Sequence, residues 1–433
     1  MKISNGVKLI QKIKKFLKII GPGVITGAAD DDPSGIATYT QAGAKFGYNQ
    51  LWTVIFMLPL ITAVQEACAR IGAVTGKGIA AVIKQYYSKK VLFLAVVLIL
   101  IANTINIGAN IGAMAEATRL IIPLNFSVLA LFFTALILIL EIFLSYKVYA
   151  KVLKWCALSL IAYPITVFLV NHPWRELIKA TFMPHIEFSF SFLFIIVAVF
   201  GTTISPYMFF WQASEEIEEE KSQHIFNNGR PKLSEKFMRN LRLDNFLGML
   251  FSQIAAWCII VVAGTVLHNN GVVDMKTAAD AAKALEPLVD TFPNAGLWAK
   301  VIFAFGIVGL GILSVPVLSA SASYAVSEAF SWKEGLNLKF KKAHGFYGVI
   351  IVATVIGLMI NYIGVDPIKA LVFTAVINGL VSVPLLFLIN KIASDQKIMG
   401  EHKSGRLSQA FLWLAFVIML FSSVAMFTAL SRG

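Results

Sequence analysis

Three consecutive acids stand inside an otherwise apolar segment near the start of the chain. Asp30, Asp31 and Asp32 are followed directly by Pro33, and apolar residues flank them on both sides. A charge near the centre of a bilayer costs roughly 3 kcal/mol or more. Carboxylate oxygens, together with carbonyls that a proline frees, are the ligands that hard divalent cations prefer. The triplet therefore predicts a cation site, and the alternatives are acids at the membrane surface or acids neutralised by protonation.

A second apolar segment is interrupted in a similar way, over the residues GTTISPY at 201–207. It offers the hydroxyls of Thr202, Thr203 and Ser205, and Pro206 removes a backbone donor. Unwound backbone at membrane depth survives only where it lines a cavity or is buried in protein. Two interrupted segments at corresponding places in two halves of a chain are typical of a transporter's substrate site. We expect the two breaks to face each other.

The composition places these segments in a polytopic membrane protein. Of the 433 residues, 58% are hydrophobic and 14% are charged, whereas soluble domains are about a quarter charged. Cys68, Cys156 and Cys258 each lie in a hydrophobic run, which excludes a disulfide framework and a cysteine metal cluster. Nucleophile-elbow, zinc-protease and phosphate-loop motifs are missing, so we expect no enzyme activity. The net charge of +13 indicates basic loops against anionic lipid, with no nucleic-acid partner.

Hydropathy divides the chain into a short N-terminal region and a transporter domain. Residues 1–20 are predicted to form a basic amphipathic segment on the cytoplasmic face, and residues 21–430 a domain of about eleven helices. The predicted spans are 21–46, 49–72, 92–118, 126–146, 152–171, 190–213, 244–267, 296–322, 346–364, 367–389 and 408–430. With the N-terminus inside, the inner loops hold roughly 28 of the basic residues. We expect a monomeric, multi-pass protein of the plasma (inner) membrane, and a short helix in the outer loop 268–296.

Four stretches resemble the natural resistance-associated macrophage protein (NRAMP) family of divalent metal transporters. They are GPGVITGAADDDPSGIATYTQAGAKFGY, ARIGAVTGKG, GTTISPYMFFWQAS and ASDQKIMGE. The resemblance runs from about Gly21 to the end of the eleventh span. It implies an all-α, leucine-transporter-like fold, in which spans 1–5 and 6–10 are inverted repeats and an eleventh span follows.

The same resemblance assigns roles to single positions, some of which depart from the family pattern. The family's first-span aspartate is retained as Asp32, and its carbonyl-donating positions correspond to Ala29 and Thr202. Other positions carry different residues, namely Gly35 for an asparagine, Ser205 for a methionine, Tyr207 for a histidine, and Asn106 and Ala109 for an acidic pair associated with proton movement. These substitutions resemble the NRAMP-related magnesium transporter branch.

The chemistry of the remaining ligands leads to the same ion. Without sulfur the site has no preference for soft metals, and oxygen ligands suit Mg²⁺ and Mn²⁺. Small residues at 35 and 205 widen the cavity for a partly hydrated ion. We expect Asp32 to be the principal ligand, Asp31 a direct or water-mediated partner, and Thr202, Thr203 and Ser205 to contact ligand waters. The metal is the transported substrate, and no cofactor is expected.

The position of the histidines bears on coupling. All six lie in or beside predicted loops, although histidine is the usual proton carrier near neutral pH. We therefore expect uncoupled uptake, since an inward divalent ion gains about 4.6 kcal/mol at 100 mV. The alternatives are a proton-coupled Mn²⁺/Fe²⁺ symporter using an acid such as Glu116 and, less favoured, an organic-solute symporter, whose substrate carboxylate the aspartates would repel.

Several other polar residues have two interpretations. Asp30 and Asn106 are possible pathway residues, and Glu116 either lines the pathway or pairs with Arg119. Glu66 and Arg70 are expected to pair on one helix face. Asn378 and Ser382 either touch the ion's water shell or form interhelical hydrogen bonds. The acidic run 215–220 is predicted to be a solvated helix extension, and the alternative is a vestibule that attracts cations.

Overall fold

The computed structural model describes residues 22–143, 158–222, 226–227, 230–231, 233–275 and 277–432. Helices dominate this part of the chain, and one two-residue hairpin, β1 (Phe226–Asn227) with β2 (Arg230–Pro231), follows the tenth helix. The helices are α1 (Pro22–Asp30), α2 (Pro33–Phe46), α3 (Trp52–Thr75), α4 (Ile79–Tyr86), α5 (Lys89–Arg119), α6 (Phe126–Phe143), α7 (Ala162–Leu169), α8 (Trp174–Phe182), α9 (Phe190–Thr203), α10 (Pro206–Ser222), α11 (Glu235–Val266), α12 (Ala278–Ala282), α13 (Ala295–Phe330), α14 (His344–Ile360), α15 (Pro367–Ser394), α16 (Gln396–Met399) and α17 (Arg406–Arg432).

Both predicted helix breaks are present. The first lies between α1 and α2, where Asp32 is the N-cap residue and Pro33 begins the new helix. The second lies between α9 and α10, where Pro206 begins the new helix. Proline fits the first position of a helix because its missing N–H would have no intrahelical partner there. Each proline therefore stands at the first position of the second half-helix, directly after the break. Both predicted interruptions are thus confirmed.

The described residues contain nine helical segments long and apolar enough to cross a membrane. The first predicted span, which contains α1 and α2, is not among them. The fifth, 152–171, is described only from residue 158, as a 3₁₀ turn (Leu158–Ile161) followed by α7. The outer surface of the bundle is strongly apolar, with Phe143 77% and Phe168 82% exposed. Such a surface suits lipid and indicates an integral membrane protein. The predicted amphipathic segment 1–20 lies outside the described residues.

Several helices extend beyond their predicted ends. α11 begins at Glu235 and α13 ends at Phe330, because their polar ends continue past the apolar stretch. In the same way α10 carries the acidic run 215–220 to Ser222. The prediction that this run is solvated is wrong. Glu215, Glu216 and Glu220 are at most 3% exposed, since α10 packs against α3 and α13. The loop 268–296 does contain a short helix, α12, which a capping box begins.

The helices around the breaks approach one another closely. α11 packs along α1 and α2, α15 packs along α9, and α5 contacts α13, α14 and α15. The approach of α9 to α15 depends on glycine, because a Cβ added to Gly201 would overlap with the carbonyl of Ala375 and the backbone of Gly379. Gly201 thus fixes the second break against α15.

Gly201→Ala should destabilise the protein by about 2 kcal/mol or more, because the overlap is with backbone and forces α9 away from α15. The control is Gly348→Ala in α14, where an added Cβ meets nothing within 4 Å and should have a neutral or slightly stabilising effect. Thermal unfolding of the two variants in the same detergent checks this. Equal melting temperatures would show that the close approach is not required.

Candidate cation site

The first break is organised by the carboxylate of Asp32. Its Oδ1 accepts hydrogen bonds from Ser34 Oγ at 2.5 Å and from the backbone N–H of Gly35 at 2.8 Å. The residue thereby caps α2 and satisfies a backbone donor that the first turn of the helix leaves open. Asp32 is 1% exposed, so its carboxyl group is enclosed within the bundle.

The second oxygen of Asp32 faces α5. Its Oδ2 accepts from Asn110 Nδ2 at 3.2 Å and more weakly from Asn106 Nδ2 at 3.5 Å, and Asn110 also donates to Asn106 Oδ1. All of these donors are neutral. Sequence reasoning missed Asn110, although Asn103, Asn106 and Asn110 share one face of an apolar helix and that spacing was a usable signal. Ala109, the other position of the replaced acidic pair, is buried in α5.

Asp30 and Asp31 are fully buried beside Asp32. Ser252 of α11 donates to Asp30 Oδ2 at 2.5 Å, and the same hydroxyl lies 3.4 Å from Asp31 Oδ1. Asp30 Oδ1 and Asp31 Oδ2 have no hydrogen-bond partner among the described residues. No described lysine or arginine forms an ion pair with any of the three acids. Burial of uncompensated carboxylates is costly, which favours a site that takes up a positive charge.

At the second break, side-chain hydroxyls donate hydrogen bonds to the free backbone carbonyls. Ser205 Oγ lies 2.7 Å from the carbonyl oxygen of Gly201 and 2.9 Å from that of Thr202. Ser382 of α15 donates to the carbonyl of Ile204. These contacts satisfy backbone acceptors that the interrupted helix cannot use. Ser382 therefore has the interhelical role that was one of its two predicted interpretations.

The two breaks face each other across short contacts. Tyr207 OH donates to the carbonyl of Ala29 at 2.8 Å, and the hydroxyls of Tyr39 and Thr203 lie 3.0 Å apart. A Cβ added to Gly35 would lie 3.3 Å from both the Asp30 carbonyl and Thr202 Oγ1. The acids of the first break and the hydroxyls of the second thus share one buried region.

Other predicted pathway residues lie outside this junction or are only adjacent to it. Asn378 is fully buried one helical turn from Ser382, and neither of its amide atoms has a partner among the described residues. Glu116 pairs with Arg119 at 2.9 Å near the end of α5. It is about 15 Å along the helix axis from Asn106. The pairing interpretation of Glu116 is thus the one that the geometry supports.

Carboxylates alone do not build a metal cage here. The described residues contain no group of three or more His, Cys, Asp or Glu side chains arranged to hold a metal ion. A cation at the junction would need one carboxylate together with backbone carbonyls, hydroxyls or waters. Mg²⁺ sites commonly have this form, because the ion keeps several waters and takes one or two carboxylates.

Solved structures define the class of fold. A manganese transporter of Eremococcus coleocola, in complex with an aromatic bis-isothiourea substituted compound, superposes with a TM-score of 0.73 at 17% identity, covering 96% of this chain and 87% of that one. MhsT in complex with L-phenylalanine gives 0.62 at 12% identity, covering 94% and 98%. MHP1, a nucleobase-cation-symport-1 family transporter in a closed conformation, gives 0.57 at 14% identity, covering 95% and 92%. The fold is that of the leucine-transporter-like membrane transporters.

Sequence comparison identifies the family within that fold. The natural resistance-associated macrophage protein-like family model matches residues 23–429, and the chain belongs to this family, whose members are transporters and not enzymes. It is 24% identical over 422 residues to the divalent metal cation transporter MntH of Caldanaerobacter subterraneus, covering 94% of this chain and 93% of the relative. It is 26% identical over 426 residues to MntH of Klebsiella pneumoniae, covering 96% and 95%.

Proposed function

We propose that this protein transports hard divalent cations, Mg²⁺ and Mn²⁺, through the junction of its two helix breaks. The observation that carries the proposal is the buried carboxylate of Asp32, whose described partners are all neutral donors. A cation supplies the charge that those partners lack. The family, the names of the MntH relatives and the manganese transporter of the same fold support a divalent metal as the substrate.

The proposed ligand set contains only oxygen. Asp32 provides the carboxylate. The carbonyl oxygens of Ala29 and Thr202 each accept one hydroxyl hydrogen bond, which leaves each of them a second lone pair for the ion. Asp31 and Asn378 present unpartnered polar atoms that suit waters of the ion. A set of this kind selects hard ions such as Mg²⁺ and Mn²⁺ over Cd²⁺. In this proposal the chain belongs to a magnesium-transporting branch of the family.

The proposed transport is uncoupled and driven by the membrane potential. Asn106 and Ala109 stand where the resemblance places an acidic pair, and neither an amide nor a methyl group titrates. Glu116, which a proton-coupled alternative would use, is engaged by Arg119 and partly exposed. An inward divalent ion gains about 4.6 kcal/mol at 100 mV without a proton.

Uptake of Mn²⁺ into proteoliposomes should not change when a pH gradient of about one unit is imposed at fixed voltage. It should rise when the interior is made more negative by a potassium gradient with valinomycin. An internal pH dye should show no acidification during metal uptake. Asp32→Asn proteoliposomes provide the background for leakage. Acidification that depends on metal and disappears in this variant would establish proton coupling and overturn the uniport proposal.

A chain of buried polar side chains leads from α1 along α10 toward one end of the bundle. Thr26 donates to Gln212, and Gln212 donates to Glu216 at 2.9 Å. Glu216 belongs to the buried acidic run, in which Glu220 lies one turn further on. In the orientation predicted from basic residues, with the N-terminus cytoplasmic, this buried polar chain leads toward the cytoplasmic side.

A further inference from the structure

A groove away from the cation junction runs between α3, α11 and α17. Its volume is about 690 Å³. Apolar side chains line most of its length, and arginines lie at one end. The apolar lining comes from Leu58, Pro59, Ala63, Phe246, Leu407 and Phe411.

The charged end of the groove carries three arginines against one acid. Glu66 pairs with Arg70 on α3, as predicted, and also with Arg242 of α11 at 3.3 Å. Arg406, at the start of α17, also lines the groove. The lining residues therefore leave two positive charges in excess. The side chain of Arg242 is 63% exposed, so its guanidinium is accessible to a further partner.

Polar atoms inside the groove lack partners. Arg70 Nε, Thr62 Oγ1 and Ser408 Oγ are buried and have no hydrogen-bond partner among the described residues. Arg70 is 3% exposed, and its other contacts are Glu66 and Ser404 Oγ at 3.3 Å. Buried polar groups are almost always satisfied, so each unpartnered one needs an explanation. Arg70 and Ser408 lie at the charged end, where an occupant with polar oxygens would offer them partners, whereas Thr62 lies about 12 Å from Arg70 along α3.

The dimensions of the groove match one leaflet of a membrane. Leu58 and Arg70 are separated by about 18 Å along α3. The hydrocarbon core is roughly 30 Å thick, so half of it is about 15 Å. In the predicted orientation the arginines lie at the cytoplasmic headgroup level and the apolar wall reaches toward the midplane.

We propose that this groove binds an anionic phospholipid of the inner leaflet. The phosphate lies among Arg70, Arg242 and Arg406, because guanidinium groups match phosphate oxygens in a bidentate geometry. One acyl chain follows the apolar wall. The lipid thereby ties α3, α11 and α17 together at a place that the transported ion does not reach.

The test is native mass spectrometry of the full-length protein equilibrated with phosphatidylglycerol or phosphatidylcholine vesicles. The wild type should retain phosphatidylglycerol about tenfold more than phosphatidylcholine. Arg242→Gln with Arg406→Gln should reduce this retention about fivefold for each arginine removed, since each basic group near an anionic leaflet contributes attraction of that order. The control is Arg239→Gln, which changes an exposed arginine of α11 that does not line the groove and should retain the lipid.

Three results would overturn the proposal. The first is equal retention of the two lipids by the wild type, which requires no variant and is independent of folding. The second is an equal loss in Arg239→Gln, which would mean a diffuse surface charge effect. The third is displacement of the lipid by millimolar inorganic phosphate, which would make the groove a phosphate site. Mn²⁺ transport by the double variant should stay near the wild-type rate and verifies that it is folded.

Discussion

Asp32→Asn should reduce Mn²⁺ transport into proteoliposomes by at least about a hundredfold while leaving the protein folded. Asparagine still caps a helix, so α2 should begin at the same place. The variant removes the negative charge that neutral donors surround. Loss of about 3 kcal/mol of attraction for a divalent ion corresponds to two orders of magnitude. Fluorescence quenching by Mn²⁺ inside the vesicles measures the rate.

The chain offers a matched control for the capping role of this residue. Asp366 precedes Pro367 at the start of α15, and its side chain accepts hydrogen bonds from the backbone of Ile368 and Lys369. Like Asp32, Asp366 is an N-cap aspartate followed by proline, but it does not belong to the junction of the two breaks. Asp366→Asn should transport at close to the wild-type rate. Retained flux in Asp32→Asn would remove Asp32 from the ion pathway.

The second large effect is expected on ion selectivity. Ser205→Met together with Gly35→Asn should raise the affinity for Cd²⁺ relative to Mg²⁺ by about tenfold or more, because a thioether is a soft ligand and Cd²⁺ a soft ion. Ser205→Met also removes the hydroxyl that lies near the Gly201 and Thr202 carbonyls. Isothermal titration of the purified variant with Mg²⁺, Mn²⁺ and Cd²⁺ measures the change.

Crowding needs its own control in this experiment. A Cβ at residue 35 would lie 3.3 Å from two oxygens, so the neighbours must shift by a few tenths of an ångström. Gly35→Ala adds that crowding without a ligand, and it should weaken binding of all three ions without favouring Cd²⁺. If the double variant gains no Cd²⁺ affinity over Gly35→Ala, residues 35 and 205 do not line the ion's coordination sphere.

The helix breaks could be predicted from the sequence because their cause is local. A proline removes a helical hydrogen bond, and Pro33 and Pro206 both begin new helices in the structure, whereas Pro59, Pro316 and Pro384 lie inside continuous helices. The membrane-spanning helices were equally predictable from the long apolar segments, because a run of about twenty apolar residues is the length that crosses a bilayer as a helix. The pairing of the two breaks followed from their corresponding places in two halves of the chain, which no single segment contains.

The contacts of the site depended on tertiary packing and were less predictable. Ser252, which donates to Asp30, lies in the middle of an ordinary apolar helix and has no special spacing. The hydroxyl of Tyr207 reaches the Ala29 carbonyl only because α10 and α1 come into contact there. The acidic run at 215–220 looked solvated by composition, yet neighbouring helices bury most of it. Burial by another element cannot be read from one segment's residues.

The central claim is that the transported ion lies at the junction of the two breaks. The most direct test is anomalous diffraction from crystals grown with Mn²⁺, compared with crystals of Asp32→Asn. We expect one strong peak between the Asp32 carboxylate and the carbonyls of Ala29 and Thr202, absent in the variant. A peak at another place, or one that persists unchanged in Asp32→Asn, would contradict the account.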